Sequence, residues 1–258
     1  MYYDLNVPVT PETEPHLPRI LARYKALGYG AVAVNYTVHG KLPRAPCTYQ
    51  RTDSPTVPHQ YTRLTVVLSD PQQNYGLNSA NEIVRSYDLL AVQPTTERCF
   101  QMACQSLDID IISIDLTADS RIAFPVRHGL VREAARRGIM FEVCYGASIG
   151  DGAMRKRVLG GAMFLSRICR GRSMLVSCGT GDIAGIRAPH DVRNWAELVG
   201  VPADHSRRCT VDNAALVVKR AGERAGGGGA RGAAIVAIPG EGDEGRTHFT
   251  RDYIDLAV

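Results

Sequence analysis

The stretch "FEVCYGASIGDGAMRKRVLGG", Phe141 to Gly161, reads as one strand–turn–helix unit. An apolar run stops at Tyr145-Gly146, a Gly-rich turn follows, and from Gly152 onward the apolar residues fall at helical spacing. Arg155-Lys156-Arg157 then occupy the first turn of that helix. A helix N-terminus already carries about half a positive charge, and acidic side chains are the usual residents. Three cations there predict that an anion arrives from outside.

The same unit recurs on both sides of this stretch. Strands are predicted at Tyr3–Val7, Ala31–Asn35, Leu64–Ser69, Asp88–Val92, Ile109–Asp115, Ile139–Tyr145 and Met174–Cys178, with an eighth candidate at Ala233–Ile238. Most are nearly continuous apolar runs, the pattern of parallel strands buried on both faces. Between them, Leu17, Ile20, Leu21, Tyr24 and Leu27 lie at helical spacing and stop at Gly28, and Phe100, Ala103, Cys104 and Leu107 form a second stripe. Another helix packs through Met154, Val158, Gly161, Leu165 and Ile168, and a last one begins near Val211.

Strands alternating with helices define an α/β fold with a parallel sheet. Seven or eight repeats in a chain of 258 residues suit a closed, distorted TIM-like barrel of mostly parallel strands. The barrel domain is assigned to residues 1–220, interrupted by a Pro-rich, aperiodic loop at 36–60. Residues 221–232 read as a Gly-rich flexible linker, and 233–258 as the eighth strand candidate with an acidic tail.

Charge is distributed unevenly. Between Arg121 and Arg172 eleven Arg and Lys face three acids, a net charge of +8 in a chain whose total is +4. Nearly all of these cations are Arg, whose planar fork suits bidentate phosphate contacts. Such a lopsided field favours a polyanionic partner. No apolar run approaches the length of a membrane span, and "MYYDLNVPVT" shows no secretory leader. Seven dispersed cysteines form no C-x-x-C pair, which predicts a reducing, intracellular compartment without disulfides or zinc.

Catalytic equipment is sparse. In a parallel barrel the chemistry sits at the C-terminal ends of the strands. Asp4, Asp70 and Asp115 fall at such ends and would have to converge to hold a metal, yet Ser69-Asp70-Pro71 also reads as a turn. The seven histidines are isolated and supply no metal-binding pair at a strand end. There is no G-x-S-x-G elbow and no Walker A motif, and "GTGDIAG" (179–185) lacks the Lys-Ser/Thr of a phosphate loop. No catalytic and no metal-binding residue is assigned. A basic face with weak catalytic equipment points to binding.

Five blocks carry a family resemblance: "LGYGAVAVNYTV" (27–38), "RLTVVLSDP" (63–71), "YDLLAVQPTTERCFQMACQSLDIDIISI" (87–114), "GIMFEVCYGASIGDGAMRKRVLGGAMFLSRICRGRSMLVSCG" (138–179) and "IRAPHDVRNWAELVG" (186–200). In this order, over about Tyr3 to Arg220, the chain resembles the TIM-barrel protein subunit of eukaryotic and archaeal ribonuclease P, shared in eukaryotes with ribonuclease MRP. The resemblance implies a barrel related to the PHP phosphoesterases. Those enzymes begin with an H-x-H metal pair on the first strand, where this chain has Asp4-Leu5-Asn6. It further implies a non-catalytic subunit that binds and stabilises a catalytic RNA, which removes 5′ leaders from precursor tRNA. The implied partners are the ribonuclease P and MRP RNAs, a small RRM-like protein subunit and the other holoenzyme proteins, with precursor tRNA contacted indirectly. No cofactor is implied for the chain itself, Mg2+ belonging to the RNA active site. The implied location is the nucleus and nucleolus. The alternative is an active metal-dependent PHP-type phosphoesterase or nuclease built on Asp4, Asp70 and Asp115.

Under this reading the anion expected at the helix start is the RNA backbone, held by Arg155, Lys156 and Arg157. Arg187 and Arg193, near the start of the following helix, are expected to join them, and Arg63 is a further candidate. Arg167, Arg170 and Arg172 lie at the opposite end of their helix, where cations suit the dipole without any ligand. Two features depart from the family pattern: the Gly226–Gly229 run with the acidic tail, and Gln93, which stands where the family usually carries an aromatic.

Overall fold

The computed structural model describes residues 1–74, 76–78, 80–117 and 122–226. Seven strands, β1 (Tyr2–Pro8), β2 (Tyr29–His39), β3 (His59–Leu68), β4 (Leu89–Pro94), β5 (Ile111–Ser113), β6 (Met140–Cys144) and β7 (Met174–Ser177), form one sheet in sequence order, every neighbouring pair parallel. The helices among the described residues are α1 (Leu17–Ala26), α2 (Glu82–Arg85), α3 (Glu97–Gln105), α4 (His128–Arg136), α5 (Ala147–Gly150), α6 (Gly152–Cys169), α7 (Pro189–Leu198), α8 (Ala203–Ser206) and α9 (Asp212–Gly226).

The sheet curls into a barrel whose seam lies between β7 and β1. At the C-terminal end of the strands the seam closes directly: the Gly179 N–H donates to the Asn6 carbonyl at 3.1 Å, and the Cys178 N–H donates to Asp4 Oδ2 at 2.9 Å. At the other end it is wedged open. There the Cys209 carbonyl accepts from the Val176 N–H and the Thr210 carbonyl from the Tyr3 N–H, at 3.2 and 3.0 Å. The distortion expected of the barrel is this wedge, which satisfies edge groups that an eighth strand would otherwise pair. The eighth strand candidate, 233–238, lies outside the described residues.

Two apolar layers follow from the two-residue period of the strands. Outward-facing Val32, Val34, Leu64, Val66, Leu90, Val92, Phe141 and Val143 pack against the surrounding helices. Inward-facing Tyr3, Leu5, Ala31, Ala33, Tyr61, Leu89, Ala91, Ile111, Met140 and Leu175 meet Ala214, Val217, Val218 and Ala221 of α9. Three of these inward residues are alanines, and the space they leave is filled by helical side chains at i, i+3, i+4 and i+7. The last helix therefore stoppers the N-terminal end of the barrel. Burying each valine there is worth roughly 1.5–3 kcal/mol.

Several boundaries differ from expectation. β5 is three residues long, although an apolar run spans Ile109–Asp115. The Asp110 backbone still bonds to Leu90 and Met140, but its carboxylate, not a main-chain carbonyl, takes the Leu90 N–H, and Asp115 already belongs to a turn capped by its own side chain. The long loop is shorter than 36–60, because β2 continues to His39 and β3 begins at His59. The linker expected at 221–232 begins inside α9, which runs to Gly226; the spacing of Ala214, Val217, Val218 and Ala221 carries the helix past Arg220 despite Gly222. On α6 the buried residues are Val158, Ala162, Leu165, Ser166 and Cys169, a stripe rotated slightly from the predicted one. Gly161 lies half-buried beside that stripe, where a Cβ would lie 2.6 Å from Leu116 Cδ2.

Candidate nucleic-acid interface

The C-terminal mouth of the barrel is where a barrel enzyme would keep its reacting groups. Here it is a cavity of about 200 Å³ lined by Asn6, Asn35, Thr37, Thr65, Gln93 and Ser113, among others. Beneath it the inner layer turns from apolar to polar. Arg63 and Glu142, both fully buried, form a bidentate ion pair with both N···O distances at 2.6 Å. Arg63 also donates to the Leu5 carbonyl and to Thr65 Oγ1. Glu142 accepts from Asn6 Nδ2 and Ser177 Oγ, and a chain of bonds continues from Thr65 through Asn35 to Asn6. Burial alone would push the Glu142 carboxyl up. The Arg63 guanidinium, with hydrogen bonds from Arg63, Ser177 and Ser113, more than offsets this and holds it below the usual range.

This plug is internally satisfied and closes the barrel core from the mouth. It also corrects one expectation. Arg63 contacts no RNA phosphate: its guanidinium lies wholly inside the barrel with Glu142 as its partner, because residue 63 faces inward on β3. A position at the entry of a strand, inside a block that carries the family resemblance, held no information about which face the side chain takes.

The three aspartates are not gathered. Asp4 is buried at the seam, accepting from the Asn6 and Cys178 N–H groups and from the Tyr24 hydroxyl of α1. Burial raises its pKa to about 7, against the pull of those hydrogen bonds. Asp70 is exposed and caps the turn after β3, while Asp115, also exposed, accepts from the Thr117 N–H and hydroxyl. Among the described residues no group of three or more His, Cys, Asp or Glu could hold a metal ion. The mouth's thiol, Cys144, is pushed well up by burial, which disfavours the thiolate.

Cations crowd the rim beside this mouth. α5, whose Ala147 lines the cavity, leads directly into α6. Part of the electrostatic problem at the start of α6 is solved internally, since Asp151 is the N-cap and its carboxylate accepts from the Met154 N–H at 2.7 Å. Arg155 folds back, donating to the Ser148 and Ile149 carbonyls that end α5. Lys156 is exposed, and Arg157 is half-buried with its guanidinium 3.4 Å from the Thr117 carbonyl on the cavity rim. Asp151 supplies one negative charge to this helix start, whose first turns carry Arg155, Lys156 and Arg157.

Arg187 belongs to the same end of the barrel. Its backbone is locked between two buried phenols, with the N–H donating to Tyr145 Oη and the carbonyl accepting from Tyr29 Oη, while the side chain is exposed. The turn that precedes it, 183–185, touches α5. Arg193 sits half-buried on α7 with its Nε unpartnered. The sequence did not single out Glu142 or the Asn6–Asn35–Thr65 chain. The available signal was one acid and one base, each alone in the middle of an apolar strand run.

Comparison with known proteins gives this geometry its context. The family described as RNase P subunit p30 matches residues 1–225. The mouse ribonuclease P protein subunit p30 is 32% identical over 203 residues, covering 74% of this chain and 75% of that one. The probable ribonuclease P protein subunit 3 of Schizosaccharomyces pombe is 30% identical, with 87% of this chain and 95% of that protein covered. A match to the Arabidopsis thaliana protein GAMETOPHYTE DEFECTIVE 1, 37% identical over 60% of this chain, spans only 26% of that longer protein. Among solved structures, a chain of an archaeal ribonuclease P with mature tRNA superposes with a TM-score of 0.63 at 14% identity, covering 94% of this chain and all of the other, which shows the shared fold. The chain belongs to the ribonuclease P subunit p30 family.

Proposed function

We propose that this chain is a non-catalytic protein subunit of the ribonuclease P ribonucleoprotein, and of ribonuclease MRP, that binds and stabilises the catalytic RNA. Membership of the family supports the subunit role. The observation that carries the non-catalytic part is the barrel mouth. Where a barrel enzyme places its reacting groups, this one has a self-satisfied amide and hydroxyl lattice above a buried ion pair. In this reading the RNA supplies the chemistry with its own Mg2+, and the protein supplies cations for the backbone.

Lys156 and Arg157, with Arg155, Arg187 and Arg193 around them, are the phosphate contacts. The small RRM-like subunit and the other holoenzyme proteins are the protein partners, precursor tRNA is met through the RNA, and the nucleus and nucleolus are the place of work in tRNA and rRNA processing. The mouth cavity is too small and too neutral to be the main anchor for a polyanion.

The test is the affinity of the full chain, assembled with its partner proteins, for ribonuclease P RNA across a salt series. Arg155 also ties α5 to α6, so the informative variant is Lys156→Ala/Arg157→Ala. Each lost phosphate contact lowers the slope of log K against log salt by roughly 0.7–0.9. A variant with unchanged affinity and slope would remove these residues from the RNA surface.

A further inference from the structure

The far end of α6 carries a second cluster of cations. A cavity of about 210 Å³ lies between α4 and the last turn of α6, lined by His128, Arg132, Arg170, Arg172 and the buried Ser173, with Ile168 on its apolar side. Among the described residues none of these three guanidiniums, nor the imidazole, has a hydrogen-bond or ion-pair partner. Glu133, the acid nearest in sequence, is engaged on α3, where it accepts from Gln105 Nε2 at 2.9 Å.

A simple helix-end role does not account for the arrangement. The last carbonyls of α6 are already satisfied by backbone: the Gly171 N–H donates to the Ser166 carbonyl at 3.0 Å and the Arg170 N–H to Arg167 at 3.4 Å. The position that closes this motif is ordinarily glycine, because its backbone is left-handed. Here it is Arg170 at φ 52°, the one non-glycine residue with positive φ among the described residues. A strained position holding a charged side chain over a cavity that two other arginines share is the pattern of a ligand site.

We infer that this cavity is a phosphate-binding site distinct from the start of α6, and that it takes the backbone of the same RNA. Three guanidinium forks match phosphate oxygens bidentately, the Ser173 hydroxyl offers a further donor, and no acid competes within the pocket. Arg157 and Arg170 lie 13 residues apart along α6, about 20 Å of helix. The RNA therefore runs along α6, with Lys156 and Arg157 at one end and Arg132, Arg170 and Arg172 at the other. The inference rests on the RNA-subunit reading above, and its test separates the two.

Three variants of the full chain, each assembled with its partner proteins, are titrated with ribonuclease P RNA across a salt series: Arg132→Ala/Arg172→Ala, Arg170→Gly and Lys156→Ala/Arg157→Ala. Arg170→Gly relieves the backbone while deleting the charge, so loss of binding there is not loss of fold. The expected result is at least fivefold weaker binding for Arg132→Ala/Arg172→Ala, a slope reduced by roughly 0.7–0.9 per lost contact, and a weaker, same-direction effect of Arg170→Gly. Wild-type affinity and slope in both pocket variants, with Lys156→Ala/Arg157→Ala still impaired, would overturn the pocket and leave the RNA reading standing. Full binding by all three would overturn both.

Discussion

Among single side chains, the Arg63–Glu142 pair decides most. Each residue is a lone charge inside an apolar strand run, "YTRLTVV" and "MFEVC", separated by 79 positions. Two such charges on strands of one barrel can neutralise each other, a pairing that was open in the sequence although Arg63 was expected at RNA and Glu142 was not singled out. The choice of inner face was not readable, because it depends on strand register around the whole barrel. Attraction in a low-dielectric interior offsets desolvation only while both partners are present. Glu142→Ala leaves the Arg63 guanidinium buried with only hydroxyl and carbonyl acceptors, and the expected cost is about 3–5 kcal/mol in denaturant unfolding. Arg63→Met/Glu142→Leu removes both charges and is expected to recover most of that loss. If the double variant is as unstable as the single one, the pair is not what holds the inner layer together.

At the level of elements, the α/β alternation, the existence of all seven strands and the helical stripes followed from periodicity alone. The misses have physical causes. β5 is short although the Asp110 backbone still bonds to Leu90 and Met140 on the two neighbouring strands. Its carboxylate takes the Leu90 N–H and reaches α9, where Arg224 donates to Asp110 Oδ2 at 2.7 Å and Arg220 donates to the Ile109 carbonyl. The same contacts explain why α9 extends into a segment rich in glycine that composition assigned to a linker. Tertiary packing overrode propensity there. The Asp110 carboxylate is buried and pushed up by burial, with Arg224 pulling the other way. Arg224→Ala is therefore expected to cost about 3 kcal/mol and lower the melting temperature by roughly 6–12 °C, since about 1 kcal/mol corresponds to 2–4 °C in a domain of this size. A melting temperature within a degree or two of wild type would mean that α9 is held by its apolar face alone.

For the whole molecule, fold and charge divide between different parts of the chain. The barrel is sealed at both ends by residues before 227: the polar lattice at the mouth and the α9 stopper at the base. The family match likewise ends at residue 225. Residues 227–258 carry five acids and three bases, so a chain ending at Gly226 has a net charge of +6 instead of +4. If the barrel needs nothing beyond α9, that shortened chain melts at the temperature of the full one, whereas a chain ending at Thr210 loses Ala214, Val217, Val218 and Ala221 from the inner layer and does not fold. Electrostatics then makes a separate prediction for RNA. Removing net negative charge strengthens attraction to a polyanion, and salt screens that gain over about 10 Å at 0.1 M. The chain ending at Gly226 is accordingly expected to bind ribonuclease P RNA as tightly as the full chain or more so at low salt, with the two converging as salt rises. Weaker binding at every salt concentration would instead place direct RNA contacts beyond residue 226, and the basic ends of α6 would then be only part of the RNA surface.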